Sequence, residues 1–356
     1  MKGESANSMN GAPTKPVLTG PLLLVKGLKV EFRLKDGQIL TAVGGVDLDI
    51  KAGEVLGLVG ESGCGKTVLS LSVLRLIDQP GRIAAGQVTW LGRDLLGLDD
   101  NEMRKVRGGE IAMVFQNPQS SLNPVQPIGR QLIAVMRLHR RMTNGEATEE
   151  ALSLLRTVRI PDPERALLAY PQEFSVGMCQ RIMIAMTLSC RPQLLIADEP
   201  TASLDVTIQA QILDLLSEIR ERFGMAILLV SHDLGVIARM CDRIAVMYLG
   251  RIVELAPAKK LYESPMHPYT QALLQSVPVP DPNKRGKTAK LEGDVPSAVD
   301  IPAGCRFRGR CPKAFDACRT VDPVLQPVNG EDHFAACLLY NQEFQIQKEP
   351  QVSIRR

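Results

Sequence analysis

An α/β fold with a mostly parallel sheet, a helical insertion and a small cysteine-rich C-terminal extension is predicted by three features of the sequence. Short apolar runs of strand length recur at Val55-Leu56-Gly57-Leu58-Val59, Ile111-Ala112-Met113-Val114-Phe115, Leu194-Leu195-Ile196-Ala197 and Ala226-Ile227-Leu228-Leu229-Val230. Segments with helical apolar spacing lie between them, and β–α alternation of this kind builds parallel sheets. The last stretch differs in kind, because four of the eight cysteines fall between Cys305 and Cys337, in a region rich in Pro and Gly.

Length and charge narrow the classes. At 356 residues the chain exceeds one average domain and fits a main domain with an appendage. Residues 1–19 are polar and rich in Gly, Pro and Ser, so a disordered leader without a secretory apolar core is expected. No apolar run approaches the ~20 residues needed to span a bilayer. A net charge of +3 is too balanced to argue for a nucleic-acid partner. Clustered cysteines in such a chain favour metal over disulfides.

Taken in order, Leu22 to Phe32 carries strand-type residues, and Asp36-Gly37 signals the turn of a hairpin. The Val55–Val59 run then leads into Gly60-Glu61-Ser62-Gly63-Cys64-Gly65-Lys66-Thr67, and helical spacing continues from Lys66 to Asp78. The eight residues fit G-x-x-x-x-G-K-[ST], a phosphate-binding loop. A strand, a glycine turn and a helix in succession aim backbone N–H groups at phosphate oxygens. Lys66 reaches the β- and γ-phosphates, the Thr67 hydroxyl coordinates Mg²⁺, and the chain is expected to bind a nucleoside triphosphate such as ATP. Phe32, on the preceding hairpin, has two readings: it stacks on the adenine ring, or it fills sheet core.

Beyond Ile111–Phe115 comes Gln116, then a proline-bounded stretch from Asn117 to Pro124 that stops regular structure. A mainly helical insertion follows from Ile128 to about Leu168, with breaks near Asn144-Gly145 and Pro161-Asp162-Pro163. The run Leu194–Ala197 delivers Asp198-Glu199 to the carboxyl end of a parallel strand, where ligands of open α/β sheets sit. Asp198 is placed to hold Mg²⁺, and Glu199 to polarise the attacking water as general base. Thr207 to Arg222 reads as a helix. The next strand delivers Ser231-His232-Asp233, where His232 either contacts the γ-phosphate or opens a helix. Ile244 to Glu254 is the expected final β segment.

These pieces together resemble the nucleotide-binding subunits of ABC transporters. Tyr170-Pro171-Gln172-Glu173-Phe174-Ser175-Val176-Gly177-Met178-Cys179-Gln180-Arg181 is similar to that family's LSGGQ signature, and Ser203-Leu204-Asp205 to its D-loop. The resemblance covers roughly residues 22–255. It implies two such domains closing head to tail on two ATP molecules, with Ser175 and Gly177 serving the opposite site. It also implies that Gln116 senses Mg²⁺ and water, that Glu199 is the base and that His232 contacts the γ-phosphate. Two positions depart from the pattern: Val176 replaces the first glycine, and Cys179 replaces a usually basic residue. Val176 either obstructs the approach to phosphate or sits in an ordinary helical backbone. A paralogous ATPase with an intact signature is therefore the expected partner.

Met266-His267-Pro268-Tyr269-Thr270-Gln271-Ala272-Leu273-Leu274, Val279-Pro280-Asp281-Pro282 and Gly304 to Pro312 resemble the tail of dipeptide and oligopeptide importer ATPases. That resemblance implies two integral membrane permease subunits, an extracytoplasmic solute-binding protein, and a peripheral position on the cytoplasmic side of the inner membrane. It further implies that Cys305, Cys311, Cys318 and Cys337 bind a [4Fe–4S] cluster. Zinc and unligated thiols are the other two readings, although intervals of five, six and eighteen residues do not match a zinc finger. The expected organisation is a leader at 1–19, a nucleotide-binding domain at 20–260 with a helical subdomain at about 117–190, and an extension at 261–356. The ATP site is expected not to depend on the cysteine segment. A soluble ABC ATPase of translation or DNA repair is the alternative class. One phosphate loop, no long heptad run and no strongly basic face weigh against it.

Overall fold

The computed structural model describes residues 20–202, 204–276, 293 and 296–345. The expected leader, Ser203 and the Val279-Pro280-Asp281-Pro282 motif lie outside the described residues. Among those described, the strands are β1 (Leu23–Arg33), β2 (Ile39–Ile50), β3 (Val55–Val59), β4 (Gly81–Trp90), β5 (Arg93–Asp94), β6 (Ile111–Val114), β7 (Leu194–Asp198), β8 (Ala226–Ser231), β9 (Arg243–Tyr248), β10 (Arg251–Pro257), β11 (Gln326–Pro327) and β12 (Phe334–Ala335). They form two sheets, ordered β2-β1-β4-β5 and β11-β12-β10-β9-β3-β8-β7-β6.

The five strands β9, β3, β8, β7 and β6 are parallel. Strands β10, β12 and β11 extend that sheet antiparallel, and the smaller sheet is antiparallel throughout. The expectation of a mostly parallel sheet thus holds for the centre of a mixed architecture. Every residue of β3, β6, β7 and β8 is buried, as parallel strands covered on both faces require. Because side chains alternate across a strand, these four divide two cores. Leu195, Ala197, Ile227 and Leu229 face the helical side. Leu194, Ile196, Leu228 and Val230 face the antiparallel sheet and the helix Lys66–Val73.

The helical insertion contains Ile128–Arg140, Asn144–Thr157 and Pro163–Leu168, followed by Val176–Leu188. The expected break near Asn144-Gly145 falls at residues 141–143, between the helices Ile128–Arg140 and Asn144–Thr157, and Asn144-Gly145 open the second of them. Thr143 and Glu146 form a capping box there, each side chain taking the other's backbone N–H. The helix from Lys66 stops at Val73 rather than Asp78, because Arg75 turns left-handed (φ 52°) and donates to the Leu98 carbonyl at 2.5 Å.

The final β segment is not at Glu254, since β12 pairs with β10 and carries the C-terminal stretch onto the main sheet. Glu254, wholly buried on β10, accepts from the Met266 and His267 amides at 2.7 and 2.8 Å and meets His333 Nε2 at 2.7 Å. Burial pushes the His267 imidazole down to about 3, so it is neutral, and its Nδ1 accepts from the Tyr269 amide. Tyr248, Tyr269 and Phe307 close a ring cluster with centroids 4.7–5.4 Å apart. Such pairs add about 0.5–1.5 kcal/mol each beyond their buried area.

Candidate active site

Strand β3 ends in a loop that only glycine can close. A Cβ on Gly60 would stand 2.1 Å from the Met247 carbonyl oxygen, and one on Gly65 would stand 2.2 Å from that of Ala42. Gly65 also holds φ 108°, and it begins the helix Lys66–Val73. Lys66 is buried, with Nζ donating to the Gly60 and Glu61 carbonyls at 2.8 and 3.1 Å. The ammonium therefore spans its own loop. Cys64 is buried beneath it, and burial pushes its thiol up, away from nucleophilic chemistry.

The carboxyl end of β7 delivers the two acids. Thr67 Oγ1 lies 3.3 Å from Asp198 Oδ1. Burial raises the Asp198 carboxyl above its usual range, while the Thr67 hydrogen bond and the Lys66 charge oppose the rise. A nearby divalent cation would favour the ionised form. Glu199 turns outward with φ 46°, a left-handed conformation that an acidic residue adopts at a cost of order 1–3 kcal/mol. Its two oxygens are separately engaged. Gln116 Nε2 donates to Oε2 at 2.9 Å, and His232 Nδ1 stands 3.2 Å from Oε1. The strands β6, β7 and β8 end side by side, which is why residues 83 positions apart meet here.

A cavity of about 510 Å³ joins these groups, lined by Ser62, Gly63, Gly65, Lys66, Thr67, Gln116, Glu199 and His232, with Phe32, Leu40, Ala42, Val68 and Ala298. Phe32 is half-buried, with its ring against Gly81 and the cavity, so it faces the cleft while packing on the antiparallel sheet. Ala298 was not anticipated. Its carbonyl accepts the Thr41 amide at 3.0 Å, which brings a residue from beyond position 260 to the cleft wall.

Ser175 and Gly177 do not line this cavity. Ser175 is exposed and caps the helix Val176–Leu188, its Oγ accepting from the Met178 amide at 3.3 Å. Val176 is the first helical residue and half-buried, outside the left-handed region, so its β-branch meets no backbone objection. Cys179 is fully buried, its thiol against the Pro171 carbonyl at 3.5 Å.

Cys318 and Cys337 are buried, and Cys305 and Cys311 partly so. Burial pushes Cys305 up to about 11 and Cys337 up to about 12, with Cys311 and Cys318 pushing both the same way and Cys305 also raising Cys337. The Cys305 amide donates to the Cys318 carbonyl at 2.9 Å, which ties two of these positions together. Even so, among the described residues no group of three or more His, Cys, Asp or Glu side chains converges to hold a metal ion. As drawn, these thiols do not form the ligand set expected for [4Fe–4S]. Nor is any described helix long and apolar enough to cross a membrane.

Residues 43–202 match the family model for ABC transporters, and residues 253–318 match that for the oligopeptide/dipeptide transporter C-terminal region. A probable peptide ABC transporter ATP-binding protein of Sinorhizobium fredii is 49% identical, covering 90% of this chain and 96% of its own. The oligopeptide transport ATP-binding protein OppD of Escherichia coli is 45% identical, over 87% and 91%. Among solved structures, a dimeric ATP-binding cassette in a post-hydrolysis state with ADP and Pi aligns with TM-score 0.59 and 28% identity. It covers 66% of this chain and 98% of that one.

Proposed function

The chain belongs to the ATP-binding subunits of peptide ABC transporters, and we propose from that premise how its residues energise import. It is an ATPase coupled to transport. Glu199 serves as general base, because it is the one carboxylate held between two polar side chains at the cavity. Gln116 fixes one carboxylate oxygen and leaves the second to share with His232, so a water at that oxygen is oriented toward the γ-phosphate. His232 then contacts the γ-phosphate itself. Lys66, Ser62, Gly63 and Gly65 take the phosphates, and Phe32 offers a ring to the adenine.

The Thr67 hydroxyl and the Asp198 carboxylate would hold Mg²⁺, an ion that prefers oxygen donors and neutralises phosphate charge. Residues 20–260 act as the nucleotide-binding domain, with the helical subdomain at about 117–190, and residues 261–356 as its extension. Two membrane permeases and an extracytoplasmic binding protein complete the importer, with this subunit peripheral on the cytoplasmic side of the inner membrane. The apolar groove of Leu76, Met113, Phe115, Val135, Met183 and Met186 beside Gln116 suits a permease segment.

The second ATP-binding subunit is a paralogue, a reading supported by the altered Val176 and Cys179 in the turn this chain lends outward. For the cysteine segment, [4Fe–4S] is the finer reading, supported by the backbone bond between Cys305 and Cys318 and by the electrostatic influence of Cys305, Cys311 and Cys318 on Cys337. Closing the ligand set requires side-chain rearrangement. Anaerobically purified protein is expected to carry iron and to absorb broadly near 400 nm, and stoichiometric zinc without iron would overturn this.

The decisive test of the ATPase reading is Glu199→Gln in the assembled transporter. ATP binding persists, while turnover falls by roughly 10²–10⁴ on losing a general base. Parental turnover in that variant refutes the assignment.

A further inference from the structure

Glu61 lies inside the phosphate loop, where a carboxylate works against anion binding. Its charge is met from far along the chain. Arg310 donates to both Glu61 oxygens, at 2.7 and 3.0 Å, in the bidentate geometry that charged pairs favour. The Arg310 side chain is only 5% exposed and that of Glu61 26%, so the pair is partly withdrawn from water. The guanidinium also lies 5.9 Å from the Tyr248 ring centroid. Tyr269 adds a backbone contact, its phenol oxygen accepting the Glu61 amide at 2.9 Å. Tyr269 is fully buried, and burial holds the phenol neutral.

The chain of contacts continues into the loop. The Glu61 carbonyl is one of two that anchor Lys66 Nζ, so moving Glu61 loosens the lysine as well. We propose that Arg310 and Tyr269 are positioning residues that set the affinity for nucleotide phosphates by neutralising and fixing Glu61. This rests on the ATPase reading and deepens it. It also reverses the expectation that the ATP site is independent of the cysteine segment, because Arg310 directly precedes Cys311.

The test uses the assembled transporter and reads KM for ATP separately from kcat. Arg310→Ala is expected to raise KM about ten-fold, the loss of one charged bidentate contact, with kcat within about two-fold of parental. Glu61→Gln added to Arg310→Ala removes the stranded carboxylate and returns KM to within about two-fold of parental. Arg310→Lys, which keeps the charge and loses the fork, gives an intermediate KM and covers the case in which Arg310→Ala fails to fold. An unchanged KM in Arg310→Ala or Arg310→Lys overturns the proposal. So does a raised KM that Glu61→Gln leaves raised, which would mark Arg310 as a structural staple only. A parental transporter without ATPase activity would instead sink the underlying reading.

Discussion

The phosphate loop and the turn at Ser175–Gly177 are both short glycine-bearing turns that open a helix, yet the fold holds them in opposite ways. The first is held by its own chain on the side away from the cavity. Gly60 and Gly65 abut the Met247 and Ala42 carbonyls, Lys66 bonds back across the loop, and Arg310 and Tyr269 grip Glu61. The second bonds only within its own helix, stands exposed at Ser175, and accepts Val176 in an unstrained backbone. A Cβ on Gly177 would meet only the Ile208 side chain, at 2.8 Å. The phosphate loop excludes a Cβ at Gly60 and Gly65 through its own backbone, whereas the Ser175–Gly177 turn carries a branched side chain at Val176 without strain.

That contrast can be broken at its strongest point first. Gly65→Ala forces a methyl into the Ala42 carbonyl at a left-handed backbone, and ATP affinity is expected to fall by roughly 100-fold. Titration with a nucleotide analogue measures it, and parental affinity would mean the loop is less tightly determined than described.

Val176→Gly is the milder probe, acting on the turn lent outward. Hydrolysis at the partner's site is expected to rise by about three- to ten-fold, with this chain's own site nearly unchanged. Disabling each site in turn by its own Glu→Gln change separates the two rates. Equal rates at both sites with Val176 in place would make the substitution a neutral helix-opening residue.

Legibility followed the range of the forces involved. Strands β3, β6, β7 and β8 were readable because burial on both faces demands continuous apolar runs. Strand β4 was not read, since half of its residues are exposed and two glycines and an arginine interrupt it. The two-residue strands β11 and β12 leave no local signal, existing only through pairing with β10. The break near Asn144-Gly145 was readable from the Asn-Gly pair, while the Thr143–Glu146 box that opens the next helix was readable and not used. At the site, motif spacing placed Gln116, Glu199 and His232 at neighbouring strand ends, and the structure puts them around one cavity. The grip on Glu61 had no such signal, because nothing in the phosphate-loop pattern names a counter-charge and Arg310 sits in an unrelated motif.

That grip has a consequence in time. Arg310 follows Glu61 by 249 positions. At translation speeds of ~5–20 residues per second, roughly 12–50 seconds separate the emergence of the two. Once Met247 has emerged, late in that interval, the chain holds the carbonyls that abut the two loop glycines but still lacks the counter-charge of Glu61. If Arg310 sets nucleotide affinity as proposed, such a chain holds ATP more weakly than the finished subunit. On that proposal, arrival of the segment that carries Arg310, and not completion of the central strands, finishes the ATP site.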